Sequence, residues 1–251
     1  MSFLHKFGIG TGAALSREVS RPIGSNSRTR TSGPAALAAV GATKAPEMRE
    51  STRVSNGLKE FLWNLDGLGR GTLLDLGPAW QTTLSFFIER GFRVSSEDIL
   101  REWKEFLAEE EAKLRQAAGQ IPDSLDVTAA GRAKRFLQAN LQYPPSSFDA
   151  VLLWDLLDYF EPLLAKQIVA SLTEVLHPGG IIFAMFHSKK PEGFQRYRVL
   201  DSNNLQVISS PVLCNVQRVY QNREIQDLFS RYRTVKAFIG RDQLRESLFI
   251  K

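Results

Sequence analysis

The sequence predicts an α/β fold, a doubly wound and mostly parallel sheet that ends in antiparallel strands. Short apolar segments alternate with amphipathic helical segments through residues 72–186, as expected of successive strand–helix–strand units. The segment Phe148–Trp154 is an apolar run of the kind buried on both faces of a parallel sheet. The last two predicted strands are separated by only a few residues, too few for a parallel crossover, so we expect them to pair antiparallel.

The composition sets limits on the class of protein. With 251 residues, 43% hydrophobic and 24% charged, the chain is long enough for one domain with a full core. The single cysteine, Cys214, excludes an internal disulfide and predicts a reducing, cytoplasmic location. Three histidines and one cysteine match no familiar zinc spacing, so no metal site is predicted. We expect no membrane span, because no apolar run approaches ~18–20 residues.

The positive charge is concentrated at the start of the chain. Of the formal net charge of +5, residues 1–50 contribute most, with seven basic and three acidic side chains. The nearly neutral remainder argues against a large nucleic-acid surface. Residues 1–50 are also rich in Gly, Ser, Ala, Pro and Arg, which predicts a disordered basic tail before a domain at 51–251. The tail is either a tolerated extension or a tether to an acidic partner.

The elements of the domain follow from apolar periodicity and from the glycines and prolines that interrupt it. In the first part of the domain, this pattern predicts a helix from Val54 to Leu65, a strand at Thr72–Leu76 and a helix ending at Gly91. It then predicts a strand at Phe92–Ser96 and a long amphipathic helix that begins at Asp98. The middle predicts a helix around Ala129–Phe136, the strand Phe148–Trp154, a helix opened by Pro162 and stopped at His177–Gly180, and the strand Ile181–Phe186. The last part predicts a hairpin at residues 197–208, a helix capped by Asn222, and the strands Thr234–Ile239 and Leu244–Ile250.

Candidate binding residues follow the predicted strands, because ligands of such sheets bind beyond the carboxyl ends of the strands. Gly77 permits either an ordinary tight turn or close backbone approach to a ligand. Asp98 either binds a ribose diol or caps the next helix. Asn140 either meets an adenine edge or makes a turn, and Trp154 and Tyr159 either pack in the core or contact a base or a sulfonium.

The order and spacing of four segments carry a family resemblance. L-L-D-L-G at 73–77, G-F-R-V-S-S-E-D at 91–98, F-D-A-V-L-L-W-D-L-L-D-Y-F at 148–160 and L-H-P-G-G at 176–180 together resemble the class I S-adenosylmethionine (SAM)-dependent methyltransferases. The resemblance covers residues from about 55 to 251. It implies a Rossmann-like, seven-stranded sheet with an antiparallel C-terminal strand, SAM as the cofactor, and a small-molecule or protein methyl acceptor.

The resemblance also implies roles for individual residues. Asp75 and Gly77 match the first motif, which faces the methionine part of SAM, and Asp98 matches the acid that binds the ribose hydroxyls. The remaining implied cofactor contacts are Ala79, Ile99, Asn140, Leu141, Trp154 and Asp155. The loop departs from the family pattern, since Ala79 and Gln81 stand where further glycines are usual and Trp80 lies between them.

Three functions are compatible with these residues. The first is methyl transfer, in which the protein aligns the acceptor with an activated methyl group and a base serves only acceptors that lose a proton. The candidates for that base or for acceptor contacts are Asp155, Asp158, Tyr159 and His187. The second is an inactive, methyltransferase-like binding or scaffolding module, favoured by the atypical loop. The third, a nicotinamide-dependent enzyme, is disfavoured because no G-x-G-x-x-G follows the first parallel strand.

The acceptor is not specified by the sequence. The absence of an Asn/Asp-Pro-Pro-Tyr segment after Phe148–Trp154 argues against methylation of nucleobase amino groups. The insert at 188–221 contains Phe194, Tyr197 and Tyr220 and forms either a lid or a self-association surface.

Overall fold

The structure is a computed structural model that describes residues 50–116 and 128–251. Its strands are β1 (Glu50–Val54), β2 (Gly71–Asp75), β3 (Phe92–Ser96), β4 (Phe148–Trp154), β5 (Leu176–His187), β6 (Phe194–Val199), β7 (Asn204–Ser210), β8 (Arg233–Ile239) and β9 (Leu244–Ile250). Its helices are α1 (Asn56–Leu65), α2 (Gln81–Ile88), α3 (Ile99–Gln116), α4 (Ala129–Ala139), α5 (Pro162–Val175) and α6 (Asn222–Leu228). The predicted tail lies, apart from Glu50, outside the described residues, so the tail and the domain boundary stay predictions.

The main sheet has the strand order β3-β2-β4-β5-β9-β8. Strands β3, β2, β4 and β5 are parallel, whereas β9 is antiparallel to both β5 and β8. The predicted doubly wound α/β sheet with an antiparallel C-terminal strand is therefore confirmed. Within the described residues the main sheet has six strands, where the resemblance implied seven.

A second sheet, of order β1-β7-β6, is antiparallel throughout, and we call it the cap sheet. The hairpin of β6 and β7 was predicted, but β1 was not. Val54, placed by its apolar character in the first helix, instead ends β1 and is 68% exposed. Helix α1 begins after it, where the Ser55 side chain accepts a hydrogen bond from the backbone N–H of Leu58.

Two further helix boundaries differ from those predicted. The turn residues His177–Gly180 belong to β5, and α5 ends earlier, at Val175. Helix α6 is capped by Gln221 rather than Asn222, because Gln221 and Glu224 form a reciprocal capping box. Neither change alters the order of the elements.

Strand β4 lies in the middle of the core. The side chains of its last five residues are buried. The apolar faces of α1 and α5 are also buried and belong to the same hydrophobic core. A strand covered on both faces has few polar positions, which explains the run of apolar residues in the sequence. The buried β4 thus fixes the position of the residues that follow it.

Among the helices in the described ranges, none has the length and hydropathy needed to cross a bilayer.

Candidate functional site

The candidate site begins where the strand order reverses. From β2 the chain passes outward to β3 and then returns to β4 on the other side of β2. The carboxyl ends of β2 and β4 are therefore adjacent, and a crevice between such strands is where doubly wound sheets bind ligands. This brings Asp75 and Gly77 together with Trp154, as the sequence predicted from their positions after the strands.

Asp75 is buried and bonds through one of its two carboxylate oxygens. Its Oδ1 accepts hydrogen bonds from the Gly77 backbone N–H at 2.9 Å and from the Trp154 indole Nε1–H at 2.7 Å. Its Oδ2 has no partner within the described residues. Burial raises the pKa of Asp75 to about 6, and the two hydrogen bonds oppose that rise. The free oxygen is thus an acceptor held at the switch point.

Trp154 occupies the space beside the Gly77 turn. A Cβ added at Gly77 would lie 2.7 Å from Trp154 Nε1, so only glycine fits under the indole. The ring stacks on Tyr197 of the cap sheet, with centroids 6.1 Å apart, and meets Phe183 edge-on. Trp154 adopts φ 54°, a left-handed conformation that costs free energy for a bulky residue and is found most often at functional sites.

Asp98 is paired with an arginine from the cap sheet. Arg196 on β6 donates from Nη2 to both carboxylate oxygens, at 2.9 and 3.1 Å. The Arg101 backbone N–H also lies 3.4 Å from Oδ1, so Asp98 faces the first turn of α3 as well. The carboxylate that the resemblance assigns to a ribose is therefore engaged by the chain's own guanidinium.

The cap sheet is held over this edge by further contacts. The Val199 backbone N–H donates to Thr83 Oγ1 in α2 at 2.9 Å. The Arg198 guanidinium lies over the Trp80 ring, 5.6 Å from its centroid. Trp80 thus contacts the cap sheet, a position that its place in the loop after β2 did not indicate.

Four other predicted contacts lie around the same edge. Ala79 is exposed in the loop, and Ile99 is buried at the start of α3. Asn140 ends α4, with its side-chain amide donating to the Phe136 carbonyl at 2.8 Å. Leu141 is buried at φ 56°, and its backbone N–H lies 3.3 Å from Glu97 Oε2. The role of each in binding stays a prediction.

A second group of polar side chains lies at the ends of β4 and β5. Asp155 and Asp158 follow β4 on a 3-10 turn, and His187 ends β5. Asp158 Oδ2 accepts from the His187 backbone N–H at 2.8 Å and lies 2.9 Å from its Nδ1. On the other side of the ring, Nε2 lies 3.6 Å from Asp155 Oδ2. The imidazole is thus held between two carboxylates.

The electrostatics of this group favour a charged or proton-sharing imidazole. Burial raises the pKa of Asp155 to about 6, and it also raises the pKa of Asp158. Burial would lower the pKa of His187, but the hydrogen bond to Asp158 and the charge of Asp155 outweigh it and raise that pKa. Groups with such shifted pKa values cluster at functional sites.

Tyr159 completes the second group. Its ring meets His187 edge-on, at 6.3 Å between centroids, and its hydroxyl has no hydrogen-bond partner within the described residues. Burial raises the pKa of this phenol, so it stays protonated at neutral pH. The three predicted catalytic candidates, Asp155, Tyr159 and His187, are therefore brought together.

Sequence reasoning missed Arg196, and it named Tyr197 only as an aromatic residue of the insert at 188–221. Tyr197 stacks on Trp154, and its hydroxyl donates to Asp155 Oδ2 at 3.3 Å, so it joins the two polar groups. A signal existed, since an arginine within a strand rich in aromatic residues needs a carboxylate partner. Its partner, Asp98, is 98 residues away and could not be identified without the fold.

The chain is similar to known proteins at the level of solved structures. No protein-family model and no curated protein matches the chain. Three solved structures are similar to it: a 1,6-didemethyltoxoflavin-N1-methyltransferase from Burkholderia thailandensis, a putative type 11 methyltransferase from Sulfolobus solfataricus and a SAM-dependent methyltransferase from Mesorhizobium loti.

The numerical similarity to these structures is low. The first is 14% identical over 78% of each chain, with a TM-score of 0.43. The second is 14% identical over 76% of this chain and 89% of its own, with a TM-score of 0.42. The third is 13% identical over 76% and 96%, with a TM-score of 0.41. Because all three TM-scores are below 0.5, this likeness carries no argument about activity.

Proposed function

We propose that the protein is a SAM-dependent methyltransferase that acts on a small-molecule or protein acceptor. The observation that carries the proposal is the convergence of two groups of side chains at one edge of the sheet. Asp75, Gly77 and Asp98 match the family's cofactor motifs; Asp75 bonds to Gly77 and Trp154, and Asp98 bonds to Arg196 of the cap sheet. The Asp155–His187–Asp158 cluster is joined to Trp154 through Tyr197, which stacks on the indole and donates to Asp155.

The hydrogen-bond acceptors of the first group fit the cofactor. The Asp98 carboxylate offers two acceptors for a ribose diol, and the unpartnered Asp75 Oδ2 offers an acceptor to the methionine part. The Gly77 turn brings backbone close to the same place. When bound, SAM supplies a methyl group on a sulfonium, already activated for transfer. The chain's own task is to align the acceptor and to exclude water, which the buried Trp154 and Tyr197 rings favour.

The second group fits proton removal from an acceptor. His187 has Nδ1 fixed by Asp158, which leaves Nε2 as the atom that takes or gives a proton. Asp155, 3.6 Å from Nε2, stabilises the protonated ring. Tyr159, protonated and without a partner, is a hydrogen-bond donor to an acceptor oxygen or nitrogen.

A second candidate function is favoured by the Arg196–Asp98 pair. Arg196 is buried and takes both oxygens of the carboxylate that a ribose would need, while Trp154 fills the space beside Gly77. If this arrangement is permanent, the protein is a methyltransferase-like binding or scaffolding module. If the cap sheet shifts, the same arrangement is a closed state of the enzyme.

A binding experiment on matched variants separates the two candidates. We would titrate S-adenosylhomocysteine, SAM and NAD into the full chain, Arg196→Gln and Arg198→Gln, and follow thermal unfolding. Arg198 is the control because it lies on the same strand and contacts Trp80 rather than Asp98.

The methyltransferase proposal predicts that S-adenosylhomocysteine raises the melting temperature and that NAD does not. Arg196 competes with the ligand for Asp98 through a charged hydrogen bond of about 1.5–3 kcal/mol. The Arg196→Gln variant is therefore expected to bind S-adenosylhomocysteine roughly 10–100-fold more tightly than the unchanged chain. Arg198→Gln is expected to match the unchanged chain. Absence of a shift in all three proteins would reject the enzyme and leave the module.

A further inference from the structure

A cavity of about 410 Å³ opens above His187. It is formed by the loop that follows β5 and by the turn between β8 and β9, and it is lined by His187, Lys189, Lys190, Glu192, Arg241 and Asp242, among others. This volume lies in the range of cavities that hold small molecules. Neither Asp75 nor Asp98 lines it. It adjoins their region through His187, whose Nε2 lies 3.6 Å from Asp155 Oδ2, because Tyr197 bonds to Asp155 and stacks on Trp154, the hydrogen-bond partner of Asp75.

The charges around the cavity are unbalanced. Lys189, Lys190 and Arg241 are exposed on its wall, and none of the three forms an ion pair within the described residues. Of the two acids that line it, Asp242 is already bound by Arg53 Nε, 2.8 Å from its Oδ2. Only Glu192 therefore remains to offset three cations, and the opening attracts anions.

His187 is the residue of the cavity wall to which a chemical role is proposed. His187 lines the cavity and is held by Asp158 through Nδ1, while its Nε2 lies beside Asp155. A molecule in the cavity is therefore next to the group proposed to move a proton. Its anionic part would meet the three cations, while its reacting atom faces the imidazole.

Resting on the proposed function, we propose that this cavity binds the methyl acceptor and that the acceptor is a small anionic molecule. Its carboxylate or phosphate group is held by Lys189, Lys190 and Arg241, beside His187. Two of these are point charges, and the third has the planar fork that binds either anion through two parallel hydrogen bonds. The acceptor class thus follows from the cavity wall and not from the cofactor motifs.

Histidine NMR tests the proposal without any turnover. We would label the full chain with 13C-histidine and titrate inorganic phosphate and, separately, succinate at constant ionic strength. His187 reports the cavity, and His177 is an internal control because it lies near the opposite end of β5, whose last residue is His187. The His187→Gln and His177→Gln variants assign the two signals.

We expect a saturable shift of the His187 signal with phosphate or with succinate, and no matching shift of His177. Phosphate alone would identify a phosphorylated acceptor, and succinate alone a carboxylate. The double variant Lys189→Gln/Arg241→Gln is expected to raise the Kd by roughly tenfold or more, since it removes two charged contacts. Arg93→Gln, in a cavity lined by His177, is the matched control and is expected to leave the Kd unchanged.

Three results would overturn the proposal: no saturable His187 shift, an equal shift of both histidines, or a Kd unaffected by the double variant. Titration of S-adenosylhomocysteine into the same samples distinguishes failure of the anionic-acceptor proposal from failure of the proposed methyltransferase function. Cofactor binding without anion binding rejects the anionic acceptor alone. Anion binding without cofactor binding rejects the methyltransferase, and with it the assignment of the anion as an acceptor.

Discussion

The two halves of the candidate site differ in how their charged groups are satisfied. Beside β2 and β3, Asp98 is paired with the buried Arg196, and Asp75 is bonded to Trp154. Beside β5, the exposed Lys189, Lys190 and Arg241 have no ion-pair partner within the described residues. The first half is closed by the chain itself, whereas the second is open to a ligand. Substitutions in the closed half are therefore expected to change the free energy of unfolding far more than those in the open half.

The largest effect is expected from the ring that fills the closed half. Trp154→Ala removes a buried indole that packs on Phe183 and Tyr197, and it deprives Asp75 of a donor. We expect the free energy of unfolding in urea to fall by about 3–5 kcal/mol. Trp63→Ala is the control, because Trp63 is 73% exposed. A loss below about 1 kcal/mol for Trp154→Ala would show that this half is not closed by packing.

The pH dependence of stability gives the next effect. The pKa of Asp75 is raised from 3.8 to about 6, so the folded state binds its proton more tightly than the unfolded state does. Its contribution to stability is present below about pH 4 and is lost as the pH rises through 6. The raised pKa values of Asp155 and His187 act in the same direction.

Asp75→Asn removes this contribution at one site. We expect its free energy of unfolding, relative to the unchanged chain, to increase between pH 4 and pH 7 by on the order of 2–3 kcal/mol. Urea unfolding of both proteins at several pH values measures the difference. A difference that does not change with pH would mean that burial does not control this carboxyl.

A smaller effect is expected at the Gly77 turn. Gly77→Ala places a Cβ 2.7 Å from Trp154 Nε1, and relief of that overlap is expected to cost about 1–3 kcal/mol. Trp154→Phe removes the atom in question, so the alanine is expected to cost less in that background. A double-mutant cycle by urea unfolding measures the coupling. Equal costs in both backgrounds would assign the loss to the backbone instead.

The smallest effect on folding is expected in the open half. Lys190→Gln alters an exposed side chain of the cavity wall, and we expect the free energy of unfolding to change by less than about 0.5 kcal/mol. A loss of several times that value, measured by the same urea unfolding, would show that the wall is structural. The expected difference between the two halves, a large loss of folding free energy for Trp154→Ala and almost none for Lys190→Gln, would then not hold.

The parts of the fold that the sequence predicted are those with strong local patterns. Strand β4 is buried on both faces, so its apolar run is visible, and the predicted bounds of β3, β4 and β9 match the structure. Strand β1 was missed because four of its five residues are polar and nearly all are exposed, a pattern that resembles a loop, and because its apolar residue, Val54, fits the helical periodicity that follows. The cap sheet therefore could not be assembled from the sequence.

The candidate site was predicted only in part, because only some of its residues belong to strong local sequence patterns. Asp75 and Trp154 end adjacent parallel strands and Gly77 follows one of them, so their approach follows from the parallel sheet. The Arg196–Asp98 pair joins residues from distant segments, and no local spacing encodes it. The three cations beside His187 were not identified from the sequence, because Lys189 and Lys190 follow β5 and Arg241 comes from the distant turn between β8 and β9.

The pairing of β1 with β7 has a consequence for biosynthesis. Glu50 lies opposite Ile208 in the cap sheet. Strand β1 therefore cannot pair with β7 until most of the chain has been synthesised. Such long-range pairing is slow, and chains fold from the N-terminus as they leave the ribosome. The parallel strands β2, β3 and β4 can assemble earlier than the cap sheet, because they come before β6 and β7 in the chain. The nascent protein therefore passes through a stage in which Asp98 has not yet met Arg196.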